Sequence, residues 1–262
     1  MALLGHDRYC DEIITQTDLL RELLKGADLS ADVPTCPGWT LAGLVRHIGG
    51  NLRTGATAVR TGETVDDPGK QVPGVAGPDG DDPAELDAWL AEGATRYAGT
   101  LREAGPDAEA RIWTFQGSTA FWVRRGLHDL VIHRADAATA VGAGFTVAPE
   151  VAADAVDEFL ELLSGQQAGG SPALAELRGP GRSIHLHATD TGAELDAEWL
   201  IELGADGFTW RRGHTKATVA LRGPLTDVLR VFYRRLPADS ERVEVLGDPA
   251  LLDFWLERAS LG

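Results

Sequence analysis

The chain has 262 residues, and 40 Asp and Glu against 24 Lys and Arg give a formal net charge of −16. Such a length makes one large or two modest domains, and 44% apolar with 24% charged residues excludes bulk disorder. The negative charge repels phosphate backbones and excludes a general nucleic-acid or anionic-membrane binder, and no apolar run nears the ~18 residues of a transmembrane helix.

The opening MALLGHDRYCDE turns acidic after too short an apolar stretch for an export signal. Cys10 and Cys36 are the only cysteines, so no disulfide framework is expected and a reducing cytoplasm is the expected location. Tyr9, Ile13, Leu20 and Leu24 recur three and four apart and predict an amphipathic helix over 6–25. Val33-Pro34-Thr35-Cys36-Pro37-Gly38-Trp39 excludes helix. Thr40 is a fitting N-cap for a second helix over 41–59, with Leu41, Leu44, Val45 and Ile48 on its apolar face. Five Gly and four Pro among acidic residues make 62–83 a long surface loop or a mobile lid. Further helices are predicted over 83–102, 118–139 and 149–163, with a short extended piece at 106–116.

The Gly-rich 166–172 stretch is the expected domain boundary, giving domains 1–165 and 172–262. Beyond it the period changes to two. Ile184, Leu186 and Ala188 alternate with His185, His187 and Thr189, and Trp199, Ile201 and Leu203 repeat the pattern. Strands are predicted at 184–188, 199–203, 208–210, 217–221 and 243–246, with helices over 224–235 and 249–259, the last capped by Asp248. The expected class is an all-α domain followed by a small α+β domain.

One segment concentrates chemistry. His128-Asp129-Leu130-Val131-Ile132-His133 places Asp129 and His133 at i and i+4, about 6 Å apart on one helical face. His128 lies about 140° around the helix from His133 and points elsewhere. With His47 from the second helix, Asp129 and His133 make a three-ligand set that leaves a position open, as catalytic zinc sites do. The same spacing also serves a solvated ion pair, and His47 alone also fits a hydrogen-bonded core histidine. His185 and His187 share a strand face and can chelate a metal or simply meet solvent. Cys36 can be a nucleophile or a small buried thiol. No glycine-rich phosphate loop is present, so no nucleotide cofactor is expected.

Three blocks resemble one family. They are Val33-Pro34-Thr35-Cys36-Pro37-Gly38-Trp39-Thr40 with Leu44-Val45-Arg46-His47-Ile48, Arg125 through Asp136, and the C-terminal Leu186-His187-Ala188-Thr189-Asp190-Thr191-Gly192, Arg222-Gly223-Pro224, Arg234-Arg235-Leu236-Pro237 and Gly247-Asp248-Pro249-Ala250-Leu251-Leu252. Together they resemble the mycothiol-dependent maleylpyruvate isomerase family across nearly the whole chain. The resemblance implies a DinB-like metal-binding four-helix bundle followed by an α+β, sterol-carrier-like domain. It implies a divalent metal, zinc foremost, on His47, Asp129 and His133, although Asp129 stands where the family usually carries the longer Glu. It implies mycothiol as thiol co-substrate and a small, electrophilic metabolite as substrate, in an isomerase or thiol S-transferase. Arg125, Asn51 and Asp136 are the expected residues beside the metal: a cation for an anionic substrate, a substrate or metal-shell contact, and an acceptor orienting His133. The family's C-terminal domain also implies an active-site Arg closing over the metal end, with Arg222, Arg230, Arg234 and Arg235 as competing candidates. The alternatives are a metal enzyme of the same fold without mycothiol, and a non-catalytic ligand-binding or regulatory protein.

Overall fold

The computed structural model describes residues 4–261; the first three residues, part of the stretch read for an export signal, and the last residue lie outside them. The described chain divides into two compact units, Leu4–Phe145 and the segment from Thr146 onward. No helix among the described residues is long and apolar enough to cross a membrane.

The first unit contains α1 (His6–Leu24), α2 (Leu41–Thr61), the short α3 (Pro68–Gln71), α4 (Pro83–Ala104), the hairpin β1 (Glu109–Ile112) and β2 (Phe115–Ser118), and α5 (Thr119–Ala140). α1, α2, α4 and α5 form a bundle in which α1 and α2 each pack against both α4 and α5. Local chemistry sets the helix starts. Thr40 accepts from the Gly43 amide, Ser118 from the Phe121 amide, and Asp82 from the amides of Ala84 and Glu85 with Pro83 in the first turn.

Tyr97 of α4 sets the spacing of the ligand-bearing helices. Its ring is buried and its hydroxyl donates to the Trp122 carbonyl at 2.5 Å. A Cβ on Gly55 of α2 would meet the ring at 2.5 Å, and one on Gly126 of α5 would meet its oxygen at 2.7 Å. The two glycines thus clear a slot that draws α2 and α5 onto the same aromatic ring.

The 62–83 segment is more anchored than a free lid. The Trp89 indole donates to the Gly74 carbonyl at 2.9 Å, and Arg46 donates to the carbonyls of Ala76 and Pro78 at 2.9 Å. A stretch this rich in Gly and Pro forms little secondary structure, so side chains from α2 and α4 satisfy its carbonyls instead.

The second unit contains α6 (Pro149–Ala168), α7 (Pro172–Ala175), β3 (Arg182–Ala188), a 3-10 turn (Ala193–Leu195), β4 (Glu198–Leu203), β5 (Phe208–Arg212), β6 (Val219–Gly223), α8 (Leu225–Phe232), β7 (Glu244–Gly247) and α9 (Pro249–Arg258). The sheet order is β5-β4-β3-β6-β7, parallel only between β3 and β6. Ile184, Leu186, Trp199, Ile201, Val219 and Leu221 are buried. Phe232 of α8 and Trp255 of α9 stack at 5.9 Å.

α6 differs from the expected domain plan. The division falls at Phe145/Thr146, and the helix runs on to Ala168, into the first three residues of the Gly-rich stretch taken as the boundary. The reason is polar as well as apolar. Buried Asp157 of α6 accepts from the Trp199 indole at 2.7 Å and from Arg212 at 3.0 Å, and Phe159 packs on Phe232 and Tyr233 at 5.1 and 4.4 Å. The helix expected over 224–235 ends at Phe232, and Arg234 turns left-handed with φ 61°.

Candidate metal centre

His47 projects from α2, and Asp129 and His133 project one turn apart from α5. His47 Nε2 lies 3.7 Å from Asp129 Oδ2, and His133 Nε2 lies 3.9 Å from Asp129 Oδ1. The ligand atoms of all three residues fall within 4.8 Å of one another. Tetrahedral bonds of about 2.0–2.1 Å put neighbouring ligand atoms about 3.3 Å apart. Two imidazoles and a carboxylate at these separations therefore fit one divalent ion after small adjustments, with further coordination positions left open.

Asp136 is fully buried and ties the centre to the loop before α2. It accepts from Thr35 Oγ1 at 2.6 Å and from the Cys36 thiol at 3.3 Å, and its Oδ2 lies 2.9 Å from His133 Nδ1. A carboxylate only accepts, so Nδ1 carries a proton, and Nε2 is the nitrogen left to offer a lone pair to a metal once it gives up its own proton. Cys36 is therefore a thiol bonded within this network. Trp39, from the same loop, lies 4.8 Å from the His47 ring and 6.1 Å from that of His133, near-parallel to the latter. Sequence reading missed the contacts of Thr35, Cys36 and Trp39. A loop without period gives no directional signal; the only pointer was the rigidity of a segment with two prolines.

Asn51, one turn beyond His47, holds its Nδ2 3.0 Å from His47 Nε2 and donates to Asp129 Oδ2 at 3.2 Å. Arg125, one turn before Asp129, brings Nη2 to 3.7 Å from Asp129 Oδ1. His128 is buried on another face, edge-on to Tyr9 at 6.4 Å. In the second unit Arg222 pairs with Glu244 at 3.1 Å, Arg230 with Asp227 at 3.4 Å, and Arg235 donates to the Tyr233 carbonyl at 2.9 Å.

The centre is electrostatically polarised. Burial works to raise the Asp129 carboxyl, but contact with His47 and the charges of His133 and Arg125 hold it well below the usual carboxylate range. Burial opposes the charged form of His133, yet its hydrogen bonds to Asp136 and Cys36 and the nearby carboxylates push it up to about 9. The site is thus built to gather positive charge around Asp129.

Comparison with known proteins agrees with this architecture. Residues 10–138 match the mycothiol maleylpyruvate isomerase N-terminal domain, and residues 150–254 match the MDMPI C-terminal domain. The chain superposes on the crystal structure of the mycothiol-dependent maleylpyruvate isomerase with a TM-score of 0.62, at 15% identity over 93% of each chain. A histidine-to-alanine mutant of that isomerase gives 0.61 at the same identity and coverage. No curated protein matches the chain significantly. Both domain models belong to one family and are separated by a short link, 139–149, and the chain belongs to the mycothiol-dependent maleylpyruvate isomerase family.

Proposed function

We propose that the chain is a metal-dependent enzyme that uses mycothiol to isomerise, or to attach a thiol to, a small electrophilic metabolite in the cytoplasm. The observation that carries this reading is the convergence of His47, Asp129 and His133 from two helices, with His133 oriented by a buried carboxylate. The family membership supports the thiol, and two free cysteines suit a reducing compartment. A divalent ion on these residues, zinc foremost, supplies a Lewis acid that lowers the pKa of a thiol and polarises a carbonyl.

The chain's own groups divide the remaining work. Asp136 keeps the proton on His133 Nδ1 and so keeps Nε2 available as a ligand. Asn51 steadies the Asp129 carboxylate, and its amide is placed to reach a substrate oxygen in the same neighbourhood. Arg125 offers a guanidinium to a substrate carboxylate or to negative charge building on a carbonyl oxygen. The Trp39 indole covers one side of the two histidines and limits water there. Isomerisation about a double bond asks for thiol addition, rotation and elimination; transfer asks for addition alone, and the same groups serve either.

The test is turnover of maleylpyruvate by zinc-loaded protein with and without mycothiol, beside His47→Ala and His133→Ala. Thiol-dependent turnover that either substitution abolishes, together with loss of one metal equivalent, is expected. Turnover that needs metal but not thiol would favour the same fold working without mycothiol. Full activity in metal-free protein would refute the metal-dependent reading.

A further inference from the structure

We propose that His185, His187, Glu198 and His214 form a second divalent-metal site, contained within the sheet unit, for zinc or a similar borderline transition ion. The site is independent of the bundle centre and of the activity proposed above.

Sheet geometry assembles it. His185 and His187 are two apart on β3 and share one face, and Glu198 on β4 is the direct cross-strand partner of His187. Just past β5, the Gly213 amide donates to the Glu198 carbonyl at 3.0 Å. Gly213 has φ +133°, a conformation that L side chains rarely adopt. The chain turns there and lays His214 back over the same carboxylate. His185 Nε2, His187 Nδ1 and His214 Nδ1 stand 2.8, 3.0 and 2.6 Å from a single atom, Glu198 Oε2. The three rings are mutually 5.2–5.6 Å apart. All four ligand atoms lie within 4.8 Å of one another.

Hydrogen bonding alone does not satisfy this cluster. A carboxylate oxygen offers two lone pairs, and three ring nitrogens converge on it. His187 Nδ1 is buried and, although 3.0 Å from the oxygen, is outside hydrogen-bonding geometry and has no partner. A cation at the centre resolves the conflict, since it takes one lone pair from each imidazole and one from Glu198. The 2.6–3.0 Å separations need to open only to the ~3.3 Å of tetrahedral neighbours. His214 has the freedom to move, its side chain being 72% exposed. Three imidazoles and one carboxylate suit zinc, cobalt, nickel or copper(II) rather than calcium or magnesium, which prefer all-oxygen shells. Such an ion would tie the segment after β5 to the β3–β4 pair.

The experiment uses the full chain carrying His133→Ala, which disables the bundle centre, titrated with Zn²⁺ and with Co²⁺ as a visible-absorption probe. One equivalent is expected to bind, with cobalt bands of a four-coordinate nitrogen–oxygen shell. Adding His214→Ala or His187→Ala should weaken binding at least about tenfold, since loss of a ligand should cost no less than loss of an outer-shell partner. His214 is exposed, so its variant keeps the fold and decides the matter if His187→Ala does not. Binding only at large excess of metal, or equal affinity with and without His214, would overturn the proposal.

Discussion

Asp136 is the residue through which the candidate centre is held together, because one buried carboxylate serves Thr35, Cys36 and His133 at once. Asp136→Asn keeps the shape but removes the charge that holds the proton on His133 Nδ1. Metal affinity, measured by competition with a chromophoric chelator, should fall about 10–100-fold while helix content stays unchanged. Unchanged affinity would mean that His133 does not need this partner. His133 also makes binding pH-dependent. Its pKa stands at about 9 in the metal-free protein, above the ordinary value, so the protonated form and its contacts stabilise the metal-free fold below about pH 6.5 and are lost as the pH rises through about 9. Metal must displace that proton. Affinity should therefore rise about tenfold per pH unit between pH 7 and 9 and level off above, with about one proton released per ion. Calorimetry in buffers of different ionisation enthalpy reads the proton directly, and a flat profile contradicts the assignment. The i, i+4 spacing of Asp129 and His133 was legible in the sequence because a helix converts spacing into direction. The contacts of Thr35 and Trp39 were not, because a loop does not.

At the scale of elements, helix starts were the most legible features. Thr40 caps α2 as expected, and the helices expected from 83 and 118 begin at Pro83 and Thr119, where the structure adds Asp82 and Ser118 as their caps. The hairpin of β1 and β2 was half legible, as an extended piece without its pairing, since its two strands are four residues each and Phe115 is exposed. What the sequence concealed is how α2 and α5 come close enough for their ligands to meet. The Tyr97 ring is boxed by Gly55 on one side and Gly126 on the other, so it has no room to retreat. Gly126→Ala would place a methyl 2.7–3.1 Å from the tyrosine ring and oxygen. Overpacking of this kind costs about 1–3 kcal/mol. The variant should show that loss in urea unfolding and also weaker metal binding, because Gly126 precedes Asp129 by less than one turn. A stability loss with intact metal affinity would separate the packing slot from the centre.

At the scale of the whole chain, the division into units depends on where α6 belongs. Glycine content pointed to 166–172, whereas the contacts divide the chain at Phe145/Thr146 and the two family models leave their link near that point. Composition could not reveal this, because the partners of Asp157 and Phe159 lie more than forty residues downstream, where no helical or strand period reaches. We predict that residues 146–262 fold alone and residues 172–262 do not. Without α6, the Trp199 indole and the Arg212 guanidinium lose Asp157, and Arg212 also loses its contact with the Ala153 carbonyl. Arg212 then keeps only its hydrogen bonds to the Leu195 and Asp196 carbonyls. Phe159, Leu160 and Leu163 are buried side chains of the same helix. At about 1.5–3 kcal/mol each, their loss removes about 4.5–9 kcal/mol, close to the whole stability of a domain, about 5–15 kcal/mol. In urea the longer fragment should unfold in one cooperative transition with dispersed amide resonances, and the shorter should show neither. Equal cooperativity in the two fragments would place α6 outside the core of the sheet unit and restore the boundary at the glycines.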